Sequence, residues 1–230
     1  MLTKFTALAM GVLLSVSAMA ADMATADMAT LTRQAQSGDA EAQVDLAGEY
    51  YQQGNHAKAV QWYTKAAHQG DAAAQYNLGF MYDNGKGVRQ DYQKAVQWYT
   101  KAAGQGHAAA QHNLGLMYAQ GLGVRQDYQK AFEWYTKAAH QGDAYAQSKL
   151  GVMYAEGEGV RQDYHKAVEW YTKAAHQGYA AAQTILGFMY KDGKGVRQNK
   201  STAKHYFGQA CDHGNQLACD NYRRLNEQGY

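Results

Sequence analysis

Apolar residues in this chain recur at helical spacing, and the whole pattern then recurs at a longer one. Ala74, Leu78 and Tyr82 lie four apart and make one apolar stripe, the signature of a single helix face. Asp83-Asn84-Gly85-Lys86-Gly87 interrupts the stripe with turn formers, glycine being the least hindered residue where φ must be positive. A second stripe follows at Ala95, Trp98, Tyr99 and Ala102. Asp91 precedes it as a helix N-cap, and Gly106 closes it from just beyond the C-cap. The pattern predicts two helices of about three turns each, too short to persist alone in water.

The helix pair is one copy of a repeat. Residues 71–106, 107–142, 143–178 and 179–214 align with a period of 36 and no gaps, and 39–70 is the same unit lacking four residues between its halves. Residues 31–38 read as a partial N-terminal repeat helix, and 215–230, the front half of another unit, as a C-terminal capping helix. Equivalent N-caps fall at Asn55, Asp127, Asp163 and Asn199. Units of this kind gain stability by stacking each on the next. Ala74, Leu78, Gly79 and Tyr82 have identical equivalents in the three following units. A helical glycine costs about 1 kcal/mol relative to alanine, so an unvarying one predicts very close helix approach. Trp62, Trp98, Trp134 and Trp170 share one position, with Tyr206 in the fifth unit, and are expected as inter-repeat core.

Composition fits helices better than sheets. Proline is absent, tyrosine is abundant at 19 residues, and branched aliphatics are scarce. A formal charge of +2 gives no reason to expect a nucleic-acid or other polyanionic partner. The first twenty residues carry Lys4, a mostly apolar run and Ala18-Met19-Ala20, the layout of a signal peptide spanning 1–20. Ala-Asp-Met-Ala-Thr then occurs twice, predicting a flexible tether over 21–30. No later stretch is long and apolar enough to span a bilayer. The protein is therefore expected to be exported, periplasmic or secreted, with no transmembrane segment in the mature chain.

The repeated Ala-Gln-x-x-Leu-Gly-x-Met-Tyr, Gly-x-Gly-Val, Asp-Tyr-x-Lys-Ala and Trp-Tyr-x-Lys-Ala-Ala-x-Gln-Gly resemble the Sel-1-like repeat, a relative of the tetratricopeptide repeat. The first unit departs by its shortened loop, and the fifth by Asn199-Lys200-Ser201-Thr202 where Asp-Tyr-x-Lys is expected. The resemblance implies an all-α, right-handed α/α superhelical solenoid whose first helices line a concave face. It also implies an adaptor or scaffold role toward other proteins; the chain is expected to be a monomer and to need no cofactor. Cys211 and Cys219, the only cysteines, sit late in one helix and early in the next. An oxidising compartment and a short intervening turn favour a disulfide, which requires a Cα separation below ~7 Å. Cysteine-rich exported members of the family are similar in placing cysteines eight apart at this junction.

Candidate chemistry is sparse. Ser201-Thr202-Ala203-Lys204 matches the Ser-x-x-Lys of serine β-lactamases and penicillin-binding proteins, but Ser-Asp-Asn and Lys-Thr-Gly are missing. A β-lactamase-like hydrolase using Ser201 and Lys204 is thus an alternative reading, as is an envelope scaffold that binds glycan. His68, His140 and His176 occupy one repeat position about 10 Å apart, too far to share a metal, so no metal site is expected. If the first helices line the groove, the partner-facing side chains are those that vary between units. These are Tyr76, Phe80 and Asp83; His112, Leu116 and Gln120; Tyr145, Val152 and Glu156; and Thr184, Phe188 and Lys191. Apolar anchors beside single charges suit a peptide or protein ligand.

Overall fold

The computed structural model describes residues 28–230, and among these it contains twelve helices and no strand. Helix α1 covers 28–36, and eleven more follow it. They are α2 (Ala40–Gln52), α3 (His56–His68), α4 (Ala72–Asn84), α5 (Tyr92–Gly104), α6 (Ala108–Gln120) and α7 (Tyr128–His140). The remainder are α8 (Ala144–Glu156), α9 (Tyr164–His176), α10 (Ala180–Asp192), α11 (Lys200–Asp212) and α12 (Gln216–Glu227). The helices form two compact units, one ending at Gln90 with α1–α4 and one from Asp91 with α5–α12. Within each, a helix packs chiefly on its neighbours in the chain, which is the all-α solenoid packing that the repeat pattern predicts.

The expected signal peptide, and the expected tether up to residue 27, lie outside the described residues. Residues 28–30, expected in the tether, are helical. Met28 and Leu31 pack against Ala35, Ala42 and Leu46, so apolar contact with α2 carries the helix three residues further back than the repeat pattern indicates.

Caps fix the helix ends. Asn55, Asp91, Asp127, Asp163 and Asn199 each accept a backbone N–H of the following helix through the side chain. His107 does so through Nδ1, from Ala110 N at 3.3 Å. A leftward-turning glycine ends each of α4, α6, α8 and α10.

The helix glycines are packing devices. A Cβ on Gly115, Gly151 or Gly187 would lie 2.8, 2.7 or 2.5 Å from a ring carbon of Tyr135, Tyr171 or Phe207. The close approach inferred from sequence is therefore helix backbone against an aromatic ring of the following helix. Those rings are fully sequestered, whereas Trp134 and Trp170, one residue before the buried tyrosines, are only half-buried. Trp170 packs on the core of the preceding repeat, and the ammonium groups of Lys137 and Lys173 cover the Trp134 and Trp170 rings at 4.1 and 4.0 Å.

A buried glutamine ladder ties the repeats together. Gln111 Nε2 donates to Ala103 O, Gln147 Nε2 to Ala139 O and Gln183 Nε2 to Ala175 O, each eight residues back. The other end of each amide is also used. Gln141 donates to Gln111 Oε1 and Gln177 to Gln147 Oε1, both at 2.8 Å. In the first unit Gln43 bonds Ala35 O and accepts from Gln69 in the same way. Each glutamine adds a second donor to a carbonyl at the end of the preceding helix, which also accepts the N–H of the glycine three residues on.

Candidate functional site

The variable positions of the first helices do not form one uniform surface. Val152 and Glu156 on α8 and Phe188 on α10 line a common groove of about 570 Å³. Tyr164, Tyr171, Ile185 and Met189 share its lining, as do Glu156, Asp192 and Lys194, which supply its charges. Lys191 lies beside this groove, its ammonium 4.9 Å from the Phe188 ring centroid. Phe188 is half-buried and meets Phe207 edge-on at 5.0 Å, so it packs the terminal repeat as well as facing the groove. In the compact unit that ends at Gln90, Tyr76 and Phe80 line a smaller pocket of about 260 Å³ with Tyr51, Tyr63, Asn77 and Met81.

The middle of the set behaves differently. The His112 ring stacks on Tyr145 at 4.2 Å, and its Nδ1 donates to Asp143 Oδ2 at 3.1 Å. Tyr145 also meets Tyr179 edge-on at 6.4 Å. Leu116 is half-buried against the core of the next helix pair, and Gln120 is exposed at the end of α6. Asp83 is half-buried, its carbonyl taken by Gln90 Nε2. Thr184 is only 6% exposed and its hydroxyl donates to Ala180 O, so it offers a partner almost nothing. Its repeat position is turned inward here, as Ser148 is one unit earlier.

Sequence variation missed Ile185, Asp192 and Tyr164 as groove residues. Ile185 and Asp192 sit at positions that also vary between units and were open to the same reasoning. Tyr164 has tyrosine equivalents at Tyr92 and Tyr128, so variation between units does not mark it.

Asp143 is both an N-cap, accepting from Ala146 N, and the partner of His112. Burial pushes its carboxyl pKa up, but the His112 and backbone hydrogen bonds outweigh this and hold it below the ordinary carboxylate range. Burial, reinforced by Tyr145 and Asp143, raises the nearby Tyr135 hydroxyl far above the usual phenol value. A depressed folded-state carboxyl pKa contributes stability that is complete well above the unfolded value of about 3.9 and fades as pH falls below it. Asp143→Asn keeps a capping side chain and removes the charge. Its destabilisation, measured by chemical denaturation, is therefore expected to be largest near pH 6 and to shrink toward pH 3.

The catalytic alternative does not assemble. Ser201 is exposed on the first turn of α11. Lys204 Nζ donates to Asn226 Oδ1 at 2.7 Å and to the Tyr230 carbonyl, so the amine is spent holding α12 rather than activating Ser201. Among the described residues no helix is long and apolar enough to cross a membrane.

These features define a helix-pair repeat solenoid, a fold of protein-interaction modules, with an open groove on its first helices. The Sel1 repeat matches at residues 40–71, 72–107, 108–143, 144–179 and 180–215, and the chain belongs to the Sel1 repeat family. It is similar to the solved structure of c5321, a protective antigen present in uropathogenic Escherichia coli strains, with 40% identity and a TM-score of 0.85. That likeness covers 88% of this chain and 44% of c5321. A Sel1 repeat protein from Oxalobacter formigenes is 35% identical with a TM-score of 0.76, over 86% of this chain and 58% of that one. A Klebsiella pneumoniae structure described as a Sel1 repeat protein shows 28% identity and a TM-score of 0.53, over 86% and 99%. The chain thus spans about half the length of the first two. Curated proteins provide no match.

Proposed function

We propose that the protein is an exported interaction module that holds a peptide or protein partner on the concave face of its solenoid, with the α8–α10 groove as the main contact. The observation that carries this reading is the groove itself: apolar Val152, Ile185 and Phe188 remain open beside Glu156, Asp192 and Lys194. An aromatic anchor in an apolar pocket with single charges around it is how peptide recognition concentrates its energy. The Cys211–Cys219 disulfide supports an oxidising destination.

Because Phe188 also packs on Phe207, truncating it would weaken fold and binding together. Exposed Glu156 gives a cleaner test. A photo-crosslinking residue at Glu156 should capture a discrete partner from the producing cells, and the same residue at Glu169 on the second-helix side should not. Glu156→Lys should weaken that capture roughly tenfold, ~1.4 kcal/mol, with an unchanged melting curve. Equal crosslinking at both positions would remove the groove from the reading.

A further inference from the structure

Two polar groups of the α8–α10 groove have no partner, and both belong to the fourth repeat. The other polar side chains there are already engaged. Gln162 Nε2 donates to Ala155 O at 2.7 Å and to the Tyr164 hydroxyl at 3.1 Å. The Lys194 ammonium stands over the Tyr164 ring, 5.6 Å from its centroid, and Asp192 Oδ1 lies 4.0 Å from Lys191 Nζ. Glu156 has no ion pair or hydrogen bond among the described residues, and neither has the hydroxyl of Tyr171.

Packing does not account for the hydroxyl. Tyr171 is 2% exposed, its ring lies against Gly151, and the residue lines the groove. Phe207 holds the same position in the fifth unit and lies against Gly187 in the same way. The ring therefore serves packing, and the hydroxyl does not. A buried hydroxyl that bonds nothing in the free protein carries a desolvation cost that a ligand can remove. Burial, and after it the Glu156 carboxylate, raise its pKa above the usual phenol value. It stays protonated, able to donate and to accept.

Helix stability does not account for the carboxylate. Glu156 is the last residue of α8, and Asp192, at the same repeat position, is the last of α10. A helix C-terminus is the negative end of the dipole and favours a cation. The second and third units place amides there, Asn84 and Gln120. The two carboxylates thus work against their own helices and add negative potential to the groove wall.

We infer that the groove takes a peptide carrying arginine or lysine beside a bulky apolar residue, the cation meeting Glu156 and the Tyr171 hydroxyl while the apolar side chain rests on Phe188 and Ile185. This rests on the peptide-binding reading of the same groove and adds the chemistry of the guest. Charge selects that guest. Both lysines are held over rings, Lys191 over Phe188 and Lys194 over Tyr164, whereas exposed Glu156 is open. Arginine suits the pair best, since its fork of N–H donors can engage a carboxylate and a hydroxyl oxygen together.

Random heptapeptides displayed on phage, panned on the full-length protein and in parallel on its Glu156→Gln variant, test this. Glu156→Gln installs the residue of the third unit, Gln120, so the helix end stays repeat-compatible. Wild type should enrich arginine or lysine next to leucine, isoleucine or phenylalanine. The variant should keep the apolar preference and lose the basic one. A synthetic peptide of the enriched sequence should bind wild type roughly tenfold more tightly than its citrulline analogue, and Glu156→Gln should bind the two within about threefold. Tyr171→Phe should weaken the arginine peptide about threefold or more without lowering the melting temperature, because the hydroxyl bonds nothing in the free protein. Enriched peptides that lack a basic residue, an equal citrulline penalty on wild type and Glu156→Gln, or full affinity in Tyr171→Phe overturns the proposal and leaves peptide binding by the groove in place. Failure to enrich any peptide removes the groove reading itself, and the proposal with it.

Discussion

Alanine at Gly159 should destabilise the protein by about 3 kcal/mol or more, whereas alanine two residues earlier, at Gly157, should cost about 1–2 kcal/mol. Both glycines have positive φ, +77° and +68°, so both substitutions force an L-residue into the left-handed region. The space around them differs. A Cβ at Gly157 meets Gln162 at 3.4 Å, an ordinary contact. A Cβ at Gly159 would lie 2.3 Å from the Tyr128 carbonyl oxygen, a backbone atom that cannot swing aside. Gly123 against Tyr92 and Gly195 against Tyr164 repeat the same clash. The loop of each unit is thus pressed onto the first turn of the preceding unit's second helix. Equilibrium denaturation of the two variants, with hydrogen exchange at α7–α9, separates backbone strain from backbone contact. Equal losses at the two positions would show that the contact adds nothing.

That contact also shows where sequence reading stops. The Gly-x-Gly spacing identified a turn, and the positive φ of both glycines follows from it. The reason for the second glycine lies one repeat away in space, where no local pattern reaches. The helix pairs were legible because caps, apolar stripes and terminal glycines are local, and because five copies average out the accidents of any one. Gly115 and Gly151 signalled close packing through their invariance, but the ring that fills the space became visible only with Tyr135 and Tyr171 placed over them. The tryptophans are only half-buried, Trp170 lying between the core of the preceding repeat and a lysine, and the fully buried ring at each junction is the tyrosine beside them. The groove was half legible. Variation between units found Val152, Glu156 and Phe188, but it cannot separate a position that varies because it faces a ligand from one that varies because it is loosely packed. Thr184 is the cost of that ambiguity, a small polar residue that turns inward and bonds within its own helix.

The disulfide supplies the other large expected effect, and the glutamine ladder explains its position. Cys211 and Cys219 are joined with a Cα separation of 4.6 Å across the α11–α12 turn. They occupy the same two repeat positions as Ala175 and Gln183, Ala139 and Gln147, and Ala103 and Gln111. In every earlier pair within α5–α10 the glutamine amide donates to the alanine carbonyl eight residues back. The last pair replaces that hydrogen bond with a covalent one, at the end of the stack, where α12 receives no support from a further helix among the described residues. Closing an eight-residue loop stabilises by ~2.5 kcal/mol in the chain-entropy model, against about 1 kcal/mol for a hydrogen bond. Reduction should therefore cost ~2–3 kcal/mol locally and accelerate amide exchange in α12 and the end of α11, leaving α6–α9 unchanged. Lys204, bonded to Asn226 and Tyr230, should keep the C-terminal end of α12 attached longer than its start. Cys211→Ala with Cys219→Ala should match the reduced protein. Cys211→Ala with Cys219→Gln restores the pair used by the sister repeats and should recover about 1 kcal/mol of the loss while becoming indifferent to reductant. If the alanine and glutamine variants exchange identically, the glutamine bond is not what the disulfide replaces; if wild-type exchange in α12 ignores reduction, the bridge carries no stability there.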